Sequence, residues 1–453
     1  MSGRSDAGDL RRVVGFWGGT SLIVGITIGS GIFRKPQTLA ALVPDSAAIL
    51  ALWAGFGFLS LCGALALAEL SSMLPRAGGA YVFVHAAYGE AAAFVFGWLY
   101  LLVSTPAAIG ALATFFSELL LGLIGLEPKT LAPWAVPAVA SGAIAVLALA
   151  NVRGARLGAA IQGGLTLVKV AGLVLVMGVA FLLADGSFAH LVAAPQRAVE
   201  AGAIGRAAAS VIWAYDGWIA VSMIAGEVVA AERQMRRIII AGMLGIVLLY
   251  LGANVAYFYA LPVEAMAAAT EGVPQRIMAR ALGPGGSLLI GLFILCSAFG
   301  ALNGNVLAKP RVAFALARDG LTFAFLGRAH PRWSTPYAAI LIQCGGAIAL
   351  VWLLRDFDRL TTYFVVAEWT ALLFAVGAVF VLRRRLPHEE RPFRTPGYPW
   401  VPATFLVGTL MGLAAIVWGE IGQSTPNYSP VWGLLIAAAG FPAHALWRRT
   451  SRA

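Results

Sequence analysis

The chain has 453 residues, of which 60% are hydrophobic and only 12% charged, with a mean hydropathy of +0.83. A soluble domain carries roughly 25% charged residues, so this composition excludes one and reads as a polytopic membrane protein. The formal net charge of +11 could serve nucleic acid, but basic residues in short loops between apolar runs are usually topology determinants, and their distribution separates the two readings.

The opening MSGRSDAGDLRR is polar and lacks a small-residue cleavage site, so residues 1–12 are expected to persist as a cytoplasmic tail. Twelve apolar runs follow, each near the ~20 residues that cross a hydrocarbon core of ~30 Å. They fall at residues 13–41, 46–73, 89–121, 132–150, 158–184, 205–229, 237–261, 286–316, 337–354, 360–382, 400–420 and 430–447. Cys62, Cys296 and Cys344 all lie inside these runs, which leaves no disulfide framework and no metal-ligand spacing. With the N-terminus inside, 22 of the 32 Lys and Arg fall in the inner set (Lys309 and Arg311 among them) and 9 in the outer set, which includes Arg34 and Lys35. That asymmetry fits both termini on the cytoplasmic side of a cell (inner) membrane and explains the basic balance without nucleic acid.

Segments 1 and 6 are interrupted. Segment 1 carries GITIGSGIF at residues 25–33, and segment 6 carries WAYDGW at residues 213–218. Glycine is common in spanning helices, and close helix packing is the plain reading of either stretch. Their position argues for more, because the second falls five segments after the first. Paired Gly-interrupted segments at corresponding places in two halves mark the binding site of an inverted-repeat transporter. Backbone groups freed by such a break survive in hydrocarbon only where protein, water or ligand completes their hydrogen bonds. The half-helix starting near Ser30 would turn free N–H groups and a positive dipole end toward an anion. Carbonyls around Thr27, Trp213 and Asp216 offer acceptors to a cation. A zwitterionic α-amino acid presents both charges.

IGSGIF, WAYDGW, AELSSMLPRAGGAYVFV after segment 2 and SAFGALNGNVLAKPRVAFALARDG in segment 8 together resemble the L-type amino acid transporters of the amino acid, polyamine and organocation superfamily, over about residues 10–450. The resemblance implies an all-α fold of 12 transmembrane helices, with a leucine-transporter-like five-plus-five inverted-repeat core. Residues 13–184 and 205–382 would be the repeats, discontinuous in helices 1 and 6, followed by two peripheral helices in 400–447 and a cytoplasmic tail in 448–453. It further implies alternating access to a central site. Ser30, Gly31 and Ile32 would bind the substrate carboxylate, Thr27, Trp213 and Asp216 would receive the amino group through main-chain carbonyls, and the Trp213 ring would close the site from outside. Light-chain members carry a cysteine between segments 3 and 4 that bonds a partner glycoprotein. GLIGLEPKTLAP has none, so a bacterial-type member without a disulfide-linked heavy chain is expected. Relatives often carry Ser where this chain has Ala301.

Lys169 lies near the middle of GGLTLVKVAGLVLVMGVAFLL, too far from either end for its side chain to snorkel to an interface. By the resemblance it stands where sodium-coupled relatives hold an ion, so transport is expected to be sodium-independent. Ser297 and Asn303 are its candidate partners. Desolvation and carbonyl contacts act on its protonation in opposite directions, which leaves a protonation cycle open. Glu368, in YFVVAEWTALLFAVG, reads as a hydrogen-bonded core acid, a substrate side-chain contact or a proton site. Asp216 favours a polar or cationic substrate side chain, unless it caps a half-helix. Glu227 and Glu69 read as helix-end or gate partners of arginines, and residues 383–400 as a cytoplasmic connector.

No HExxH, GxSxG or GxxxxGK[ST] occurs, and the five histidines are scattered, so an enzyme, a cofactor and a metal are not expected. A channel would need no anion-binding helix end facing a carbonyl cluster. The expected function is secondary transport of L-amino acids, by exchange or under proton influence. A polyamine or cationic amino acid antiporter is the alternative within the superfamily.

Overall fold

The computed structural model describes residue 10 and residues 12–128, 130–195, 197–200 and 202–450. Most of the expected N-terminal tail and residues 451–453 lie outside them. The described residues form helices joined by short loops, with one isolated bridge between Val14 and Val228 in place of any strand.

In chain order the helices are α1 (Phe16–Thr27), α2 (Gly31–Leu42), α3 (Ser46–Met73), α4 (Ala80–Tyr88), α5 (Glu90–Leu99), α6 (Thr105–Leu123), α7 (Ala135–Val152), α8 (Ala155–Leu183) and α9 (Ala203–Tyr215). The second half holds α10 (Ala220–Met223), α11 (Ala231–Ala260), α12 (Val263–Ala267), α13 (Val273–Ala308), α14 (Pro310–Arg318), α15 (Tyr337–Leu354), α16 (Phe357–Arg385), α17 (Trp400–Ile421) and α18 (Ser429–Thr450). A π-helical turn, Tyr100–Ser104, joins α5 to α6.

Among the described residues, eleven stretches are long and apolar enough to cross a membrane. They correspond to eleven of the twelve predicted segments. The other, residues 205–229, does not form one long helix: α9 stops at Tyr215, and the chain turns through Asp216–Ile219 before the four-residue α10. Segment 8 is also longer than its apolar run. α13 begins at Val273 and kinks at Gly283, with φ +69°, so only the part after the kink carries the hydropathy signal.

Local chemistry places several helix starts. The Asp45 carboxylate accepts from Ala47 N (2.9 Å) and Ala48 N (3.2 Å) at the start of α3, and Asp356 accepts from Arg359 N (2.7 Å) at the start of α16. Each satisfies N–H groups that a helix end otherwise leaves bare. Packing then wraps the other helices around the interrupted ones. α8 lies along α13, α16 along α6 and α3 along α11, while α1 contacts α8, α11 and α13, and α2 contacts α9.

Three basic residues move from where the sequence reading put them. Lys309 and Arg311 were assigned to an inner loop and Lys35 to an outer one, yet all three are buried. Lys309 pairs with Glu368, Arg311 with Glu227 and Lys35 with Asp358. The apolar runs at 286–316 and 13–41 already contained these positions. A carboxylate partner offsets part of the cost of burying each of these basic side chains.

Candidate functional site

The first interruption is Ile28–Ser30, between α1 and α2. At the end of α1, Ile28 N bonds Val24 O (2.8 Å), but Gly29 N turns back to Thr27 O (2.8 Å), so the Gly25 carbonyl loses its normal helical donor. Lys169 Nζ supplies one, donating to Gly25 O at 2.6 Å and to Ser297 O at 2.9 Å. The Ser297 hydroxyl donates to Ile28 O at 2.9 Å. The lysine expected in mid-membrane is therefore fixed against a helix end, whose bare carbonyl it satisfies. Asn303 is not part of this contact. Its amide nitrogen donates to Gly158 O (3.1 Å) and Gln162 Oε1 (3.0 Å), and its oxygen accepts from Asn151 (2.9 Å). Six residues past Ser297 on one helix, it is almost two turns further along the same seam.

α2 starts at Gly31, and its backbone N–H groups at Gly31 and Ile32 precede the Arg34 N to Ser30 O bond of 2.8 Å. These are the orphan donors of a helix start. Gly31 is required by proximity, since a Cβ there would sit 2.4 Å from Ala214 Cα on the second interrupted element. Gly217 meets the first break from the other side. Its φ of +124° suits glycine alone, and a Cβ would lie 2.7 Å from Thr27 Oγ1 and 2.9 Å from Thr27 N. The two Gly-bearing motifs thus face each other at backbone contact.

Tyr250 of α11 ties them together. Its hydroxyl lies 2.6 Å from Thr27 O and 3.1 Å from Ala214 O. The Thr27 carbonyl, expected to await a substrate amino group, already faces Gly29 N and Tyr250. Nothing in VLLYLGANVAYFYA distinguishes this tyrosine from a packing residue, so sequence reasoning missed it.

Between the breaks lies a void of about 20 Å³ lined by Thr27, Ser30, Gly31, Trp213, Asp216 and Asn305, with Ile26, Gly29, Ala108 and Leu112 completing the wall. Trp213 Nε1 donates to the Ser30 hydroxyl at 3.0 Å across it. Ile32, one residue further along α2, is fully buried and does not line the void. On one side the Trp213 ring meets Phe357 and Phe364 edge-on, at 5.9 and 5.2 Å between centroids. Arg34 and Lys35 lie over Phe357 at 4.3 and 4.9 Å, and are held by Glu118 (2.5 Å) and Asp358 (2.7 Å) respectively. Away from this stack, Arg311 binds Glu227 at 2.9 Å and Arg383 binds Glu69 at 2.7 Å. Glu227 and Glu69 therefore hold arginines, as their positions in the sequence anticipated.

Glu368 does not line the central void. Its Oε1 accepts from Tyr100 Oη (2.7 Å) and Lys309 Nζ (3.2 Å), and its Oε2 accepts from Ser104. Both oxygens are occupied, which moves this residue from substrate contact to a buried ion pair. Lys309 also lies over Phe364 at 4.6 Å and Tyr100 at 5.3 Å. The carboxylate is reached because the π-turn at Tyr100–Ser104 sets both hydroxyls toward α16.

Residues 14–439 match the family described as "Amino acid permease". The chain belongs to the amino acid permease family. Its curated relatives include the serine/threonine exchanger SteT of Bacillus subtilis, 31% identical over 439 residues that cover 96% of each chain. The b(0,+)-type amino acid transporter 1 of Mus musculus is 30% identical over 441 residues, 95% of this chain and 87% of that one. The cystine/glutamate transporter of Homo sapiens is 28% identical over 441 residues, 97% of this chain and 85% of the relative. This permease is thus a multi-pass membrane protein of a transporter family, not an enzyme. Its family match begins at Val14, just before the first interrupted helix, and runs through both motifs that frame the void.

Proposed function

We propose that this permease is a secondary active transporter that moves L-amino acids across the cell membrane by alternating access around the Thr27–Asp216 void. The carrying observation is the convergence of the two breaks. The α2 start offers the N–H group of Gly31 to a carboxylate. Opposite it, buried oxygens of Thr27 and Asp216 without a hydrogen-bond partner offer acceptors to an ammonium. Ser30 and Trp213 close that space with a hydrogen bond that a bound zwitterion would replace.

The reading includes twelve spans arranged as two inverted five-helix repeats, residues 13–184 and 205–382, followed by two peripheral helices in 400–447. Its support is the packing. The pairing of α8 with α13, segments 5 and 8, has its repeat-related counterpart in α16 with α6, segments 10 and 3. With Lys169 filling the place of a bound cation at Gly25 O and Ser297 O, transport is sodium-independent and proceeds by exchange or under proton influence. Both termini are cytoplasmic and no disulfide-linked heavy chain is required. The unpartnered Asp216 Oδ1 favours a second reading, in which the substrate side chain is cationic. The named substrates of the relatives, from serine and threonine to cystine and glutamate, support the amino acid class.

The test is counterflow in proteoliposomes loaded with unlabelled amino acids, run with sodium and with choline as the external cation, together with a competition panel of neutral, cationic and aromatic amino acids and polyamines. Saturable, stereoselective, sodium-independent exchange is expected. Unsaturable conductance would make the protein a channel and sink the proposal.

A further inference from the structure

Asn305 is a polar wall residue of the central void to which the ties between the two breaks give no part. It sits on α13, 2% exposed. Its amide nitrogen donates to Ala301 O at 2.9 Å, four residues back on the same helix. That bond fixes the orientation, because the reversed amide would set its oxygen against another carbonyl oxygen. The Oδ1 atom is left buried without a partner while the residue lines the void. Buried acceptors are normally satisfied, and one that faces a cavity calls for a donor arriving with a ligand.

The surroundings limit what that donor can be. The α2 start and the Thr27 and Asp216 oxygens, on the elements that form the two breaks, suit the carboxylate and amino group that every amino acid has. Asn305 comes from a different helix, and the wall it shares with Ala108 and Leu112 is otherwise apolar. We infer that Asn305 reads the substrate side chain, selecting one with a neutral hydrogen-bond donor, a hydroxyl, over its apolar isostere. An acidic side chain is disfavoured there, since Asn305 Oδ1 and Asp216 would both oppose it. This assignment rests on the amino acid transport reading and goes beyond it by naming the contact that sets specificity.

L-threonine and L-valine have nearly the same shape and differ in the hydroxyl. Purified permease in proteoliposomes is assayed for binding and uptake of each. Wild-type protein is expected to favour threonine by about tenfold or more, the worth of one hydrogen bond of ~1.4 kcal/mol. Asn305→Leu, which keeps bulk and removes the acceptor, should bring the ratio close to one, and a monodisperse peak on size exclusion reports that the variant is folded. Asn305→Ala removes the oxygen without adding a branch and serves if the Leu variant fails to fold. An unchanged threonine-to-valine ratio in a folded variant overturns the assignment. So does wild-type protein that binds valine as well as threonine, or that binds neither while exchanging some other amino acid. Absence of counterflow with every amino acid would instead remove the transport reading itself.

Discussion

Removing one member of the Lys309–Glu368 pair should cost far more than removing both. The two charges lie 3.2 Å apart, each with a fully buried side chain. At an effective dielectric of ~20 that separation gives an attraction of about 5 kcal/mol, set against a desolvation penalty of several kcal/mol for each ion. The pair is therefore close to break-even, while a single survivor is an uncompensated charge in the membrane interior. Glu368→Gln leaves Lys309 with the Ser104 hydroxyl at 3.3 Å and the Phe364 and Tyr100 rings but no carboxylate, and Lys309→Met leaves Glu368 with the Tyr100 and Ser104 hydroxyls. Each single change is expected to destabilise by about 3–5 kcal/mol. The double variant Lys309→Met/Glu368→Gln should lose less than either single one, a coupling of at least ~3 kcal/mol. The assay is the apparent melting temperature of the four proteins in detergent, followed by loss of the monodisperse peak on size exclusion after heating. Additive losses, with the double variant the least stable of the four, would refute the reasoning, because the two charges would then not be partners.

Tyr250→Phe keeps the ring against Trp53 (5.5 Å) but removes the hydroxyl that ties Thr27 O to Ala214 O, and should lower substrate affinity about tenfold in counterflow. Lys169→Met strips the donor from Gly25 O and Ser297 O and should reduce uptake at least tenfold, as measured in liposomes; wild-type rates after that change would remove Lys169 from any central role. Gly31→Val places a Cβ at the position 2.4 Å from Ala214 Cα, a clash with backbone that cannot move aside, and substrate binding should be undetectable by ligand-induced thermal shift. Asp358→Asn weakens the hold on Lys35 above Phe357, so a cysteine introduced at Ser210 should react faster with a membrane-impermeant maleimide; an unchanged rate would show that this contact seals nothing.

Much of the architecture was legible because hydrocarbon imposes it. Backbone groups with no water to bond must pair within a helix, so runs of about 20 apolar residues mark spans. The same rule made GITIGSGIF and WAYDGW conspicuous as places where pairing had to fail. Lys169 was legible for a related reason, since its distance from either end of its segment leaves only a buried role. The members of the site that carry no anomaly of their own stayed hidden. Tyr250 is one aromatic among many, and Asn305 lies two residues from Asn303, about 200° around the helix, so sequence could not say which of the two faces the breaks. The Lys309–Glu368 pair spans 59 positions, and a lysine followed by Pro and Arg looks like the edge of a loop until its partner is found.

What the sequence determined by itself is eleven of the spanning segments, the two positions where helices break, and the presence of a lysine too far inside its segment to reach an end. These follow from local hydropathy and from the cost of unpaired backbone. Tertiary structure alone decided which donor satisfies which orphan: Lys169 at Gly25, Ser297 at Ile28, Tyr250 across both breaks, Tyr100 and Ser104 at Glu368. Hydrogen bonds reach about 3 Å, and that distance is set by how helices far apart in the chain pack together, not by the residues along any one of them.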